Sequence, residues 1–289
     1  EIMNFVIMAY SFVPRNGPEC FCSTRFASAL ARLGHEVHVV TMDWSKEVDP
    51  EVCSSLLDSR VHVTRVKCLA NGRPNPFVRL RYLTDEYAAV EFPLLIKTLK
   101  NVISQIKDPI LISRASPWAS FIVAWHCRKL VKFWVCHFSD PLSYLPRGCL
   151  RDELRYRFAR FWIKRCLKSA SAISLTCESV KRYYHDEYGK LFDRQRVWVT
   201  NHIGDPVLPF RTNYKKPLDR LVLAHIGYLS SGRGGKLMVE AIKHLNKEGV
   251  KCALLQCGNL DRDVLTLSDG CDCFLVEANR DPDYATYVS

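Results

Sequence analysis

The sequence predicts an α/β protein with two domains, of which the second is incomplete. One unit occurs twice, at residues 5–40 and again at 221–255: an apolar strand, a loop of small residues, an amphipathic helix and a second apolar strand. Strands and helices also alternate between the two copies, as in doubly wound folds. At 289 residues the chain is long enough to form two cores.

The first copy opens with the apolar run 5–9, which is typical of a buried parallel strand. A loop at 14–18, a helix at 20–33 and a strand at 36–42 follow, and Gly34 predicts a left-handed cap at the helix end. In this order the helix N-terminus points past the strand ends, where α/β proteins bind phosphate.

The middle of the chain continues this alternation and completes a first domain at residues 1–205. Its predicted strands are 61–66, 110–113, 132–136, 172–175 and 196–200, and its predicted helices are 81–100, 117–130, 152–168 and 178–187.

A proline-containing stretch, 206–219, is interpreted as a linker. The second domain, 220–289, repeats the opening unit. It has a strand at 221–226, a loop at 227–235, a helix at 236–247, Gly249 and a strand at 250–256.

The charge of the chain favours an anionic partner. There are 41 Lys and Arg against 30 Asp and Glu, a formal net charge of +11. Nucleic acid, a membrane surface and a phosphorylated small molecule all fit this charge. No zinc finger, RNP or helix-turn-helix pattern is present, so nucleic acid is not expected as a partner.

The 13 cysteines are odd in number and scattered through predicted strands and helices. This pattern favours reduced thiols over a disulfide framework. The close pairs Cys20/Cys22 and Cys271/Cys273 lack zinc-site spacing, and we expect no metal. No apolar run reaches the roughly 20 residues that span a bilayer. No signal peptide is recognisable, so a cytoplasmic location is expected.

Residues 151–170 predict a basic amphipathic helix with seven basic and two acidic side chains. Leu154, Phe158, Phe161, Trp162 and Arg165 fall at helical spacing. Two interpretations are open. The helix rests peripherally on anionic lipid at the inner face of the membrane, or it packs on its own sheet with a solvated outer face.

Five segments, taken in order, carry a family resemblance: 30–41, 134–141, 170–178, 200–206 and 227–234. Together they resemble the retaining glycosyltransferases of family 4, which have the GT-B fold of two Rossmann-like domains. The resemblance implies transfer of a sugar from a nucleotide-diphosphate sugar to a polysaccharide or lipid-linked acceptor. It places the acceptor on the first domain and the donor on the second, and it implies no metal or other cofactor.

The resemblance also implies catalytic roles. His137 matches the histidine beside the donor sugar, and Asp140 lies where it could orient that ring or hold an acceptor hydroxyl. Purely structural roles are the alternatives: His137 could cap a strand end, and Asp140 could cap the turn before Pro141.

Donor-binding residues are implied at both loops. The departing diphosphate needs cations and backbone amides. Arg233 and Gly234 match that site, although Arg233 also suits a solvated position at the helix start. Lys236 could substitute for a family arginine that is Tyr228 here. Gly17, Gly227 and Gly258 match glycines that let backbone approach the donor, although each also suits an ordinary turn or strand end. His202 and Asp205 are interpreted first as linker residues.

The family's pair of glutamates, seven residues apart, does not occur after Gly258, and its terminal helix is absent. The sequence is therefore interpreted as a fragment or a natural truncation, with weak or no activity expected if 289 residues are the whole chain. A non-catalytic sugar-nucleotide-binding or membrane-associated scaffold is the main alternative to an enzyme, and a nucleotide-sugar epimerase is the third.

Overall fold

A computed structural model describes residues 1–15, 17–43, 56–67, 91–114, 118–141, 150–193, 196–203, 220–258, 260–268 and 273–276. The side chains of residues 151, 155, 226, 233, 257 and 273–276 are outside this description. The chain forms two compact units, Glu1–Gly204 and Asp205–Ser289.

The first unit contains a seven-stranded parallel sheet. The strands are β1 Asn4–Ala9, β2 Glu36–Asp43, β3 Val61–Lys67, β4 Ile110–Arg114, β5 Phe133–Phe138, β6 Ala172–Leu175 and β7 Val197–Val199. Their order is β3-β2-β1-β4-β5-β6-β7. The order reverses between β1 and β4, and such a switch point opens a crevice at the carboxyl ends of the strands. The predicted doubly wound α/β fold is confirmed.

Helices cover both faces of this sheet. They are α1 Pro18–Arg32, α2 Phe92–Gln105, α3 Ala119–Cys127 with the 3₁₀ turn Arg128–Leu130, α4 Leu150–Ser169, α5 Glu178–Tyr188 and α6 Lys190–Asp193. Phe5 and Ile7 of β1 share a core with α1. Val6 and Met8, on the opposite face, share a core with α2, α3 and α4. Because both faces are buried, β1 is apolar at nearly every position.

Local signals account for most helix ends. Pro18 stands in the first turn of α1, and Gly34 takes the predicted left-handed conformation after it, at φ 88°. The helix predicted at 81–100 begins at Phe92 and continues to Gln105, whereas positions 81–90 lie outside the described residues. Strand β5 runs on to Phe138, two residues past its predicted end.

Helix α4 buries a different stripe from the one that helical spacing suggested. Its buried residues include Tyr156, Ala159 and Ile163, followed by Cys166 and Leu167. Leu154, Phe161 and Arg165, which helical spacing placed on one face with Phe158 and Trp162, are exposed. The expectation of a single apolar face was wrong here, because large apolar residues occur on more than one side of the helix.

The second unit contains three parallel strands, β8 Leu221–Ile226, β9 Cys252–Cys257 and β10 Cys273–Val276, in the order β10-β9-β8. Helices α7 Gly235–Lys247 and α8 Arg262–Ser268 lie between them in sequence. Val239, Leu254 and Val264 share its core. Gly249 has the left-handed backbone that ends α7, at φ 83°. Among the described helices of both units, none is long and apolar enough to cross a bilayer.

The register of α4 can be tested with a pair of substitutions two residues apart. Ile163→Ala removes a fully buried side chain from the core and should lower the free energy of unfolding by about 2–4 kcal/mol. Phe161→Ala should cost less than about 1 kcal/mol, because Phe161 is exposed. Urea unfolding followed by circular dichroism measures both, and a larger loss at Phe161 would contradict this register.

Candidate active site

A row of polar side chains crosses the sheet at the carboxyl ends of three strands. Arg114 of β4 pairs in register with His137 of β5, and His137 pairs with Ser174 of β6. Ile112 and Val135, two residues earlier in β4 and β5, pack in the core beneath α1. Since residues two apart on a strand share a face, the row lies on the α1 side, next to the switch point.

Arg114 is a buried cation held by α1. It is 3% exposed. Its Nε donates a hydrogen bond to Ser23 Oγ at 3.2 Å, and an Nη atom lies 4.0 Å from Glu19 Oε1. The guanidinium also lies 4.7 Å from the centre of the Phe26 ring. Burial lowers the pKa of Arg114, and the charge of Glu19 opposes this shift.

Glu19 stands in the first turn of α1 and faces this cation. Burial raises the pKa of its carboxyl to about 7, against the opposing charge of Arg114 and hydrogen bonds from Ser139 and Ser23. The nearby charge of Asp140 raises the pKa further. A carboxyl that titrates near neutral pH can accept or donate a proton under working conditions.

The sequence predicted a strand that ends at residue 136, just before His137. In the structure His137 lies within β5, and it is 3% exposed. Burial holds its pKa well below the ordinary range, and the charges of Arg114 and His202 act in the same direction. Nδ1 lies 3.0 Å from Ser174 Oγ. Nε2 is buried and has no hydrogen-bond partner among the described residues. The ring is therefore neutral at pH 7, with one nitrogen satisfied and one available.

Asp140 follows β5 in an exposed turn. Tyr184 Oη donates to the Asp140 carbonyl at 3.4 Å, and Thr176 Oγ1 donates to the Ser139 carbonyl at 2.7 Å. These bonds fix the turn from neighbouring elements. Ser174 is the partner of His137 Nδ1, and the role of Asp140 stays a prediction.

Gly17 caps the N-terminus of α1 with an extended backbone, at φ 170°. A Cβ atom there would meet only Cys20 Sγ, at 3.8 Å. The packing of the protein does not itself require glycine at this position, and a backbone approach to a ligand stays a prediction.

In the second unit, Gly227 and Gly258 follow β8 and β9, and their backbones touch. Both have positive φ, 111° and 118°. A Cβ atom on Gly258 would lie 2.6 Å from the Gly227 carbonyl oxygen, which also accepts a hydrogen bond from Gln256 Nε2 at 2.7 Å. The two strand ends can meet this closely only because Gly258 has no side chain.

The loop after Gly227 leads into α7 through a 3₁₀ turn, Ser231–Arg233. Gly234 is left-handed, at φ 81°, and makes no side-chain cap bond to the helix. Lys236, expected to serve as a phosphate cation, lies with its Nζ 3.2 Å from Asp263 Oδ2. Its charge is already paired within the protein, although both side chains are exposed. The Arg233 side chain lies outside the described residues.

Seven cysteines in the described part of the chain are free: Cys20, Cys22, Cys127, Cys136, Cys166, Cys177 and Cys252. Within the part of the chain that the structure describes, no group of three or more His, Cys, Asp or Glu side chains could hold a metal ion. The expectation of a site without metal stays a prediction.

Sequence reasoning missed Glu19, Arg114 and Ser174, and it interpreted His202 only as a linker residue. Arg114 carried a signal, because a charged residue directly follows the apolar strand residues 110–113. Glu19 gave none, since an acidic residue in the first turn of a helix is ordinary.

Solved proteins of similar structure share this architecture at low sequence identity. Anabaena Alr3699/HepE, solved in complex with UDP and glucose, is 13% identical with a TM-score of 0.60, covering 95% of this chain and 69% of that one. Phytolacca americana UGT2, solved with UDP-2fluoro-glucose and pterostilbene, is 15% identical with a TM-score of 0.56, covering 99% and 73%. A UDP-N-acetylglucosamine 2-epimerase is 12% identical with a TM-score of 0.54, covering 99% and 71%. No curated protein is significantly similar in sequence.

The fold is therefore the two-unit, Rossmann-like GT-B fold, which the structural neighbours share. A family model, Glycosyltransferase Family 4, matches residues 23–202. The chain belongs to that family. The protein is a glycosyltransferase in the general sense of sugar transfer.

Glu19 predicts an unusual dependence of stability on pH. Its carboxyl has an ordinary pKa of 4.5, and burial raises this to about 7. The folded state therefore holds a proton that the unfolded chain releases, and stability falls as pH rises from 4.5 to 7. Glu19→Gln removes this titration. As pH rises from 4.5 to 7, the free energy of unfolding of Glu19→Gln should therefore increase by about 2–3 kcal/mol relative to that of wild type.

Tryptophan fluorescence during urea unfolding measures the effect, because all six tryptophans precede residue 205. Glu178→Gln, on the exposed start of α5, is the matched control and should leave the slope unchanged. Equal pH slopes in wild type and Glu19→Gln would contradict the burial argument.

Gly258→Ala should destabilise the ends of β8 and β9. The new methyl group meets the Gly227 carbonyl, and the backbone is strained at φ 118°; we expect a loss of about 1–3 kcal/mol. Hydrogen exchange of the β8 and β9 amides measures it, with unchanged tryptophan fluorescence as an internal reference. Gly232→Ala is the control, since a Cβ atom there meets nothing within 4 Å. Equal exchange in both variants would count against the close contact.

Proposed function

We propose that this glycosyltransferase moves a sugar from a nucleoside-diphosphate sugar to a glycan or lipid-linked acceptor, with retention of the anomeric configuration. Family membership and the resemblance to retaining family 4 enzymes support the reaction class. The observation that carries the proposal is the buried polar row at the switch point. In this row His137 has a nitrogen with no partner among the described residues.

His137 contacts the donor sugar in this proposal. A buried polar atom without a hydrogen bond costs about 1–3 kcal/mol, and a ligand hydroxyl would remove that cost. Because burial and Arg114 keep the ring neutral, it offers a fixed dipole rather than a charge. Ser174 holds the other nitrogen at 3.0 Å and so fixes the orientation of the ring.

The donor diphosphate binds at the start of α7. Negative charge develops on the leaving phosphate, and the amides of a helix N-terminus stabilise such charge. Gly234 leaves that terminus without a side-chain cap, and the first turn of α7 carries no acidic residue. Arg233 supplies the cation. Lys236 contributes less, because Asp263 already pairs with it. Gly227 and Gly258 allow the neighbouring ends of β8 and β9 to lie close together.

The acceptor binds on the first unit, near the turn after β5. Asp140 is exposed there and accepts hydrogen bonds from acceptor hydroxyls. Gly17, at the start of α1, lets the backbone approach the donor. The family resemblance assigns the donor to the second unit. No metal or other cofactor takes part, and the reaction occurs in the cytoplasm, where the free thiols stay reduced.

Calorimetry and turnover with UDP-glucose, UDP-N-acetylglucosamine and GDP-mannose test this function. His137→Ala should lower sugar transfer or donor hydrolysis by about 100-fold, the effect expected on losing a fixed polar contact to the reacting centre. His62→Ala, an exposed histidine on β3, should leave turnover unchanged.

Failure of all three donors to bind, together with no transfer, would overturn the donor site. Binding without any turnover would favour the non-catalytic scaffold. Equal activity of His137→Ala and wild type would remove His137 from the reaction while leaving the reaction class standing.

A further inference from the structure

Helices α3 and α4 meet at a partly exposed cluster of aromatic rings and arginines, which we call the aromatic–arginine surface. It consists of Trp125, Arg128, Phe161, Trp162 and Arg165. Trp125 and Trp162 pack edge to face, with ring centres 5.5 Å apart. The Arg165 guanidinium lies 4.4 Å from the centre of the Phe161 ring and 5.1 Å from that of Trp125. The Arg128 guanidinium lies 3.8 Å from the centre of the Trp125 ring.

This surface continues along α4 as an exposed apolar stripe. Leu150, Leu154 and Phe161 are 76%, 44% and 48% exposed. They stand at positions i, i+4 and i+11, which lie on one side of a helix. Leu130, at the end of the 3₁₀ turn after α3, is also exposed. Solvent-exposed leucine and phenylalanine in a row are unusual beside a well-packed core and mark an interaction surface.

Positive charge borders the stripe. Arg157 and Arg160 are paired with Glu153 and Glu187, at 2.7 Å and 3.2 Å. Lys164, Arg165 and Lys168, in the last turns of α4, are exposed. The C-terminal half of the helix therefore presents cations and aromatic rings together, without an acidic residue between Glu153 and Ser169 in sequence.

We propose that the aromatic–arginine surface and the stripe on α4 dock on an anionic phospholipid bilayer, with α4 lying in the plane of the interface. Apolar side chains enter the acyl boundary, and aromatic rings sit at the depth of the headgroups. The cations contact lipid phosphates. Arginines stacked on rings suit this place, because a guanidinium bonds phosphate while its face stays against an apolar surface.

Charge complementarity selects lipid as the occupant. The exposed cations Lys164, Arg165 and Lys168 lie at the C-terminal end of α4, beside the apolar stripe. The cations match the phosphate layer of a bilayer, and the stripe matches its apolar interior. This inference does not depend on the proposed donor chemistry. Membrane docking adds a location to the proposed reaction, because a first unit bound to a bilayer reaches acceptors that are carried on lipid.

Sedimentation with phosphatidylcholine vesicles, with and without 30% phosphatidylglycerol, tests the proposal. The protein should bind the anionic vesicles at least 10-fold more tightly, and raising the salt should weaken this binding. Lys164→Glu with Arg165→Glu should abolish it. Arg32→Glu with Lys67→Glu makes the same charge change at exposed sites on α1 and β3, and it should keep most of the binding.

Phe161→Ser with Leu154→Ser keeps every charge and should reduce binding about 10-fold, which separates insertion from general attraction. Circular dichroism checks that each variant is folded. The proposal fails if anionic vesicles do not bind, if both charge variants lose binding equally, or if the serine variant binds like wild type. It also fails if sedimentation velocity shows that wild type self-associates and that the serine variant does not, since the stripe would then be an interface between copies of the chain.

Discussion

The first unit depends on one buried cation, Arg114, at the point where the order of the sheet reverses. Its guanidinium bonds Ser23, faces Glu19 and lies over Phe26, all on α1. Removing a charge from water is costly unless neighbours compensate for it. These three contacts compensate, and they fix α1 against the end of β4. Burial holds the pKa of His137 low and raises that of Glu19; the charge of Arg114 adds to the first shift and opposes the second.

Much of the fold could be predicted from the sequence, because its signals are local. The apolar runs 5–9 and 221–226 correspond closely to β1 and β8, and Gly34 and Gly249 end their helices as expected. The C-terminal ends of β5 and α2 were less well placed, since both elements continue beyond their apolar pattern.

The candidate site was predicted only in part, because it depends on register between distant strands. His137 was found through a family resemblance, but its neighbours Arg114 and Ser174 lie 23 and 37 positions away, and only strand pairing brings them together. The partner of Lys236 depends in the same way on where α8 places Asp263. On α4, aromatic residues on several sides left helical spacing unable to choose the buried stripe.

The alignment of Arg114, His137 and Ser174 on adjacent parallel strands has an evolutionary consequence. Neighbouring strands lie about 4.8 Å apart, a distance set by backbone hydrogen bonds and the same for any sequence that keeps the sheet. Substitutions can change which group stands at each point of this row, but they cannot change the interval between points. Divergence of specificity within such a scaffold must therefore proceed through the chemistry of these side chains and through the loops around them.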